Sequence, residues 1–146
     1  MLKLSKKIEY GILAMQYIAS NIEGNSEKVI SAKEISLKLN IPFEFLSKTL
    51  QKLMKSGLIE SQQGNKGGYV LAKSPEQTSL SEIIVALDEK ADLVECFTNK
   101  DDTTCSRTSL CTIRGPIKNI QKKIDGVFQS TTLAELLDKR LLNKKE

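Results

Sequence analysis

The chain has 146 residues and 40% hydrophobic content, enough for one modest core with an appendage but not for two full domains. No apolar run approaches the roughly 18 residues that a membrane-spanning helix needs, and Met1-Leu2-Lys3-Leu4-Ser5-Lys6-Lys7 lacks the apolar stretch of a secretory signal, so a cytoplasmic protein with no membrane partner is expected. The net charge of +4 is unevenly spread: residues 1–73 hold eleven Lys and six Glu, whereas residues 74–146 hold eleven basic and twelve acidic residues.

The basic half suits a nucleic-acid surface, although Lys-rich helices are also simply soluble. Ser5 can cap a first helix, in which Ile8, Ile12, Met15, Ala19 and Ile22 fall on one face. Gly24-Asn25-Ser26 ends it. Ser31-Ala32-Lys33-Glu34 is a capping box, in which the Ser oxygen takes a free amide and the Glu reaches back, and it opens a short second helix that buries Ile35 and Leu39. Asn40-Ile41-Pro42 breaks the chain before a third helix, with Phe45 or Leu46, Leu50, Leu53 and Met54 inward and Gly57 as its C′ residue. Leu58 to Gln63 and Tyr69 to Ala72 read as strands around the glycine-rich tip Gly64-Asn65-Lys66-Gly67-Gly68. This order predicts a mainly α fold with a small β-hairpin, a winged helix-turn-helix, over residues 1–75.

Residues 76–146 then form a second unit. Ser79-Leu80-Ser81-Glu82 opens a helix through Leu87, and residues 92–111 read as an irregular loop. A long helix begins between Thr112 and Pro116. Ile113, Ile117, Ile120, Ile124 and Val127 alternate spacings of four and three, with Phe128 beside them, while Lys118, Gln121, Lys122, Lys123 and Asp125 read as the opposite face. So narrow a seam wants a partner helix, as in a homodimer; the alternative is packing on its own domain. Thr132-Leu133-Ala134-Glu135 is another capping box and predicts a short terminal helix, with a frayed tail from Asn143.

The third helix is the expected recognition helix for a double-stranded DNA operator. Base edges are read mainly by the N-terminal part of such a helix, which assigns Ser47, Lys48 and Gln51 to bases and Lys52 and Lys55 to phosphates. Thr49 lies at the edge of that face. Lys66 and Gly67 at the wing tip suit phosphates, by charge and by close backbone approach. A merely solvated face is the alternative, and the downstream hairpin argues against it.

All three cysteines lie between residues 96 and 111, with eight residues between Cys96 and Cys105 and five between Cys105 and Cys111, and there is no His. An odd number excludes a closed disulfide framework within one chain. Thiolates suit iron–sulfur clusters, zinc and copper(I), but the paired C-x₂₋₄-C spacing and fourth ligand of structural zinc are missing. A cluster, redox thiols and zinc all remain open on spacing alone, with the wide spacing suiting a loop wrapped around a cluster. Thr98, Asn99, Ser106 and Ser109 offer donors around such a site. Neither G-x-S-x-G nor a P-loop nor paired His occurs, so an enzyme is not expected.

An ordered series carries a resemblance. Leu4-Ser5-Lys6-Lys7-Ile8-Glu9-Tyr10, Phe45-Leu46, Leu53-Met54-Lys55-Ser56-Gly57-Leu58-Ile59, Gly64-Asn65-Lys66-Gly67-Gly68-Tyr69-Val70-Leu71 and Leu80-Ser81-Glu82-Ile83-Ile84 together resemble the Rrf-two family of bacterial regulators, over about residues 1–140. The cysteines resemble its cluster-binding branch. The resemblance implies a homodimer with a crossed long helix and DNA binding controlled by an iron–sulfur cluster, of two- or four-iron type, on Cys96, Cys105 and Cys111. It also implies Glu9 of the other subunit as a candidate fourth ligand; the alternative is an ordinary exposed carboxylate. Two departures stand out. Many members have Arg before the first wing Gly, where this chain has Gln63, and some have a His ligand three residues after the last Cys, where this chain has Arg114, which cannot ligate. A cluster-free regulator of the same fold, acting through thiol switching or protein interaction, is the second reading.

Overall fold

The structure is a computed structural model and describes residues 3–22, 28–63, 67–98 and 105–137. Its elements run α1 (Lys6–Ile22), α2 (Ala32–Leu39), α3 (Phe43–Lys55), β1 (Ile59–Gln62), β2 (Gly68–Leu71), a 3-10 turn (Pro75–Gln77), α4 (Leu80–Ala86), α5 (Glu95–Thr98) and α6 (Arg114–Ser130). This is the expected helical fold with one hairpin. No helix among the described residues is long and apolar enough to cross a membrane.

The expected cap at α2 forms only in part, because the Glu34 side chain does not reach back to Ser31. Ser31 Oγ accepts from the Glu34 amide at 3.1 Å, but the Glu34 carboxylate takes the Tyr17 hydroxyl at 3.0 Å and so ties α2 to α1. Burial, and then this carboxylate, push the Tyr17 hydroxyl pKa up to about 12. Ser79 and Glu82 complete a full capping box at α4. Lys73, and after it the Ser79 amide, lower the Glu82 pKa from its usual range. Gly57 takes φ +76 after α3, which a side chain would strain.

The strands pair antiparallel in the register Ile59↔Leu71, Glu60↔Val70, Ser61↔Tyr69 and Gln62↔Gly68. Ile30 adds a bridge to Tyr69 through reciprocal bonds of 3.1 and 2.8 Å, which docks the wing against the start of α2. That docking requires Gly68, because a Cβ there would lie 2.5 Å from the Ile30 carbonyl oxygen.

The main core gathers Met15 and Ile18 of α1, Ile35 of α2, Leu46, Leu50 and Leu53 of α3, Ile59, and also Ile83, Leu87 and Leu133. A smaller cluster of Ile8, Leu80 and Ile84 is covered by Leu4, Ile12, Phe128 and Leu136. Thus α4 packs onto α1 and α3 with one face and against α6 with the other. The chain after α6 returns along the start of α4: the Leu80 amide donates to Thr131 O at 2.8 Å and the Leu133 amide to Thr78 O at 2.7 Å.

Two elements differ from expectation. Glu95–Thr98 is a short helix inside the expected irregular loop. Thr132 and Glu135 make both capping bonds, but Leu133 to Leu136 form turns instead of an α-helix, because Leu133 is held fully buried under α4 by its own backbone bond. Residues 138–146, including the tail, lie outside the described residues.

Candidate DNA-reading face and cysteine segment

Helix α3 is anchored on the inner side by Leu46, Leu50 and Leu53, all fully buried. Its first turn is fixed by an edge-to-face contact between Phe45 and Tyr10 of α1, with ring centroids 5.2 Å apart at 86°. The opposite side carries Lys48, Gln51 and Lys55, all exposed, with Ser47 and Lys52 half-buried. One expectation is corrected: Thr49 is 4% exposed and bonds the Phe45 carbonyl at 3.0 Å, so it belongs to the core side. A β-branched hydroxyl that bonds back one turn can sit inside, which its polarity hides.

Lys52 is engaged within the chain. Its Nζ lies 3.2 Å from Asp88 Oδ2 and donates to the Leu87 carbonyl at 3.5 Å. Lys7 of α1 pairs with Glu89 at 3.1 Å. Asp88 and Glu89 follow α4, and Asp88 makes the turn in the left-handed region at φ +56. Lys7, Phe45, Lys48, Thr49, Lys52 and Leu87 line a groove of about 200 Å³ between α3 and this acidic turn. The sequence-based reading missed this acidic turn; its signal was an Asp-Glu pair directly after an apolar helix end.

At the wing, Gly67 is exposed, while Lys66 lies outside the described residues with Gly64 and Asn65.

Cys96 sits in α5 and is half-buried; Cys105 and Cys111 are exposed, and all three are free thiols. The Cys105 carbonyl accepts from the Thr108 amide at 3.2 Å and from its hydroxyl at 2.7 Å, closing a turn. Ser106 and Ser109 are exposed; Asn99 and the Thr98 side chain lie outside the described residues. Three thiols in one segment are a donor set that suits a soft metal centre. Among the described residues, however, no three Cys, Asp, Glu or His side chains converge within one chain. Glu9 is not gathered with them: it pairs with Lys6 at 2.8 Å on the exposed side of α1.

The expected seam on α6 divides. Ile113, Ile120 and Val127 are 61%, 46% and 58% exposed and recur every seven residues. Ile117, Ile124 and Phe128 are half-buried against the chain itself, and Gln121 stands among them. Gln121 was expected on the solvated face but is 7% exposed. Its Oε1 accepts from the Leu93 amide at 2.8 Å, and its Nε2 donates to Ala91 O at 3.1 Å and Asp125 Oδ1 at 2.8 Å. A buried amide is stable when its donors and acceptor are all used, as here. Gln121 thereby ties the segment just before Cys96 to α6. Its spacing from Ile117, Ile124 and Phe128 marks it as inward, and only its polarity argues otherwise.

Residues 4–139 match the sequence profile of the Rrf2 family, described as an iron-dependent transcriptional regulator. The transcriptional regulator NsrR of Halalkalibacterium halodurans is 29% identical over 136 residues, 93% of this chain and 90% of that one. The structure of IscR from T. potens aligns with a TM-score of 0.73 at 28% identity, covering 99% of this chain and 92% of that one. The structure of CymR, the global cysteine regulator of B. subtilis, aligns at 0.71 and 29% identity, covering 93% and 96%. A winged reading domain, matched together with its long helix and its cysteine segment, is thus a DNA-binding transcriptional regulator, and the chain belongs to the Rrf2 family.

Proposed function

We propose that the chain represses or activates transcription as a homodimer whose operator affinity is set by its cysteine segment. The observation that carries this reading is the pair of contacts at Asp88 and Glu89. The turn leading to Cys96 holds Lys52 of the recognition helix and Lys7 of α1, so movement of the segment reaches the DNA face through one short stretch of chain. Ser47, Lys48 and Gln51 read bases. Lys52, Lys55, Lys66 and Gly67 meet phosphates. Ile113, Ile120 and Val127, with Ile117 and Ile124 at their margin, bury against the same stripe of a second copy in the cytoplasm.

Cys96, Cys105 and Cys111 would hold an iron–sulfur cluster, supported by the description of the matched family as iron-dependent and by the soft donor set. Glu9 of the partner subunit is the candidate fourth ligand, which requires it to leave Lys6. When bound, a cluster supplies an oxidisable centre that ties three points of one loop together. The chain's own part is to couple that loop to the reader: just before Cys96, Gln121 fixes residues 91–93 to α6, and Asp88 and Glu89 fix the same stretch to α3 and α1.

A second reading is favoured by the likeness to CymR and by the exposure of Cys105 and Cys111: the same thiols act as a cluster-free redox switch or respond to a protein partner. Anaerobic purification separates the two. Iron and acid-labile sulfide that bind with the three cysteines present and disappear on any single Cys→Ala change support the cluster. Colourless, iron-free protein that still accepts iron nowhere after anaerobic reconstitution supports the thiol switch.

A further inference from the structure

Phe43 is the first residue of α3, directly after the N-cap Pro42, and it is 52% exposed. It belongs to neither apolar cluster. Its neighbour Phe45 is held by Tyr10, so the turn that carries Phe43 is fixed to α1 while the Phe43 ring is left outward. Residues 43, 47 and 51 are spaced by four, which puts Phe43 on the helix stripe of Ser47 and Gln51 and places it nearest the helix N-terminus. Exposing a large aromatic ring to water at this point is unfavourable unless something apolar meets it. The adjacent exposed Glu44 makes the turn a poor phosphate contact by charge, so base edges suit it better than the backbone. In the major groove the only apolar group on a base edge is the C5-methyl of thymine.

We propose that Phe43 is a specificity-determining residue that contacts a thymine methyl in each half-site, beyond the bases read by Ser47 and Gln51. This rests on the assignment of α3 as the DNA reader. The operator half-site then carries a thymine whose methyl, and not its Watson–Crick face, is selected.

The test uses the full-length protein and the duplex it selects from a random-sequence pool. Each thymine of that duplex is replaced in turn by deoxyuridine, which lacks the methyl and keeps the pairing. One position per half-site should weaken binding of the unaltered protein by about fourfold, the effect of removing one buried methyl-sized group. Phe43→Ala should bind the thymine and deoxyuridine duplexes equally at that position, and Phe43→Leu should keep most of the discrimination. Because the ring lies outside both clusters, far-ultraviolet circular dichroism and the melting temperature of Phe43→Ala should match the unaltered protein. If every thymine-to-deoxyuridine ratio is the same for the unaltered protein and for Phe43→Ala, the proposal is overturned while DNA reading by α3 stands. If no duplex is selected at all, the reader assignment itself fails, and the proposal with it.

Discussion

Gln51 and Lys48 stand exposed on the side of α3 opposite Leu46, Leu50 and Leu53, free of the intrachain ion pairs that engage Lys52. Replacing either by Ala should therefore act on DNA and not on folding. Each change should weaken operator binding by about 1–3 kcal/mol and relax preference at one or two base pairs, measured by competition against single-position operator variants. Lys66→Ala should instead weaken all duplexes alike and flatten the dependence of affinity on salt by about one unit. A sequence-selective effect of Lys66→Ala together with a uniform effect of Gln51→Ala would reverse that division. At this scale the sequence was legible wherever a side chain's chemistry and its spacing agreed, as at Gly57 and at the Thr132–Glu135 cap. It misled where polarity and spacing conflicted. Thr49 and Gln121 are polar residues in apolar positions, each satisfied by bonds that only the folded backbone creates.

Among the elements, the turn after α4 does more than end a helix. Asp88 is largely exposed, so its pair with Lys52 contributes little stability and competes with a phosphate for the same ammonium. Asp88→Asn keeps a residue that tolerates the left-handed conformation and removes the charge. It should tighten non-specific DNA binding and steepen the salt dependence by up to about one unit, read from affinities at several salt concentrations. An unchanged slope would mean that Lys52 does not exchange its partner on DNA. Long-range partnerships of this kind are not visible in periodicity, since Asp88 and Lys52 lie far apart in the chain. Helix α6 illustrates the same limit. Its apolar spacing was legible, but its division into an inward stripe and an exposed stripe depends on where α4 and residues 91–93 lie against it. Ile120→Glu costs the single chain little, because Ile120 is already 46% exposed. In a dimer seam the same charge should cost several kcal/mol. Sedimentation should then show monomer, and a fully dimeric variant would contradict the seam.

For the whole molecule, helix order, wing and long helix were readable from caps, breaks and spacing, because each is a local property of the chain. The meeting of the reading domain with α4, Leu133 and Phe128 was not, because it joins residues far apart in sequence into shared clusters. On the proposed reading, that shared core would carry a loop change near Cys96 to α3, because α4 and its acidic turn lie between them. Couplings of this type are typically about 1–3 kcal/mol, or roughly 5- to 150-fold in affinity. The most direct measurement is anaerobic titration of the selected operator with the protein in its iron-loaded and iron-free forms, alongside Cys96→Ala, Cys105→Ala and Cys111→Ala. The two forms of the unaltered protein should differ in affinity within that range, and each cysteine variant should stay folded, dimeric and fixed at the iron-free affinity under loading conditions. Cysteine variants that bind with the affinity of the loaded protein, where the iron-free protein binds differently, would contradict control by the cysteine segment.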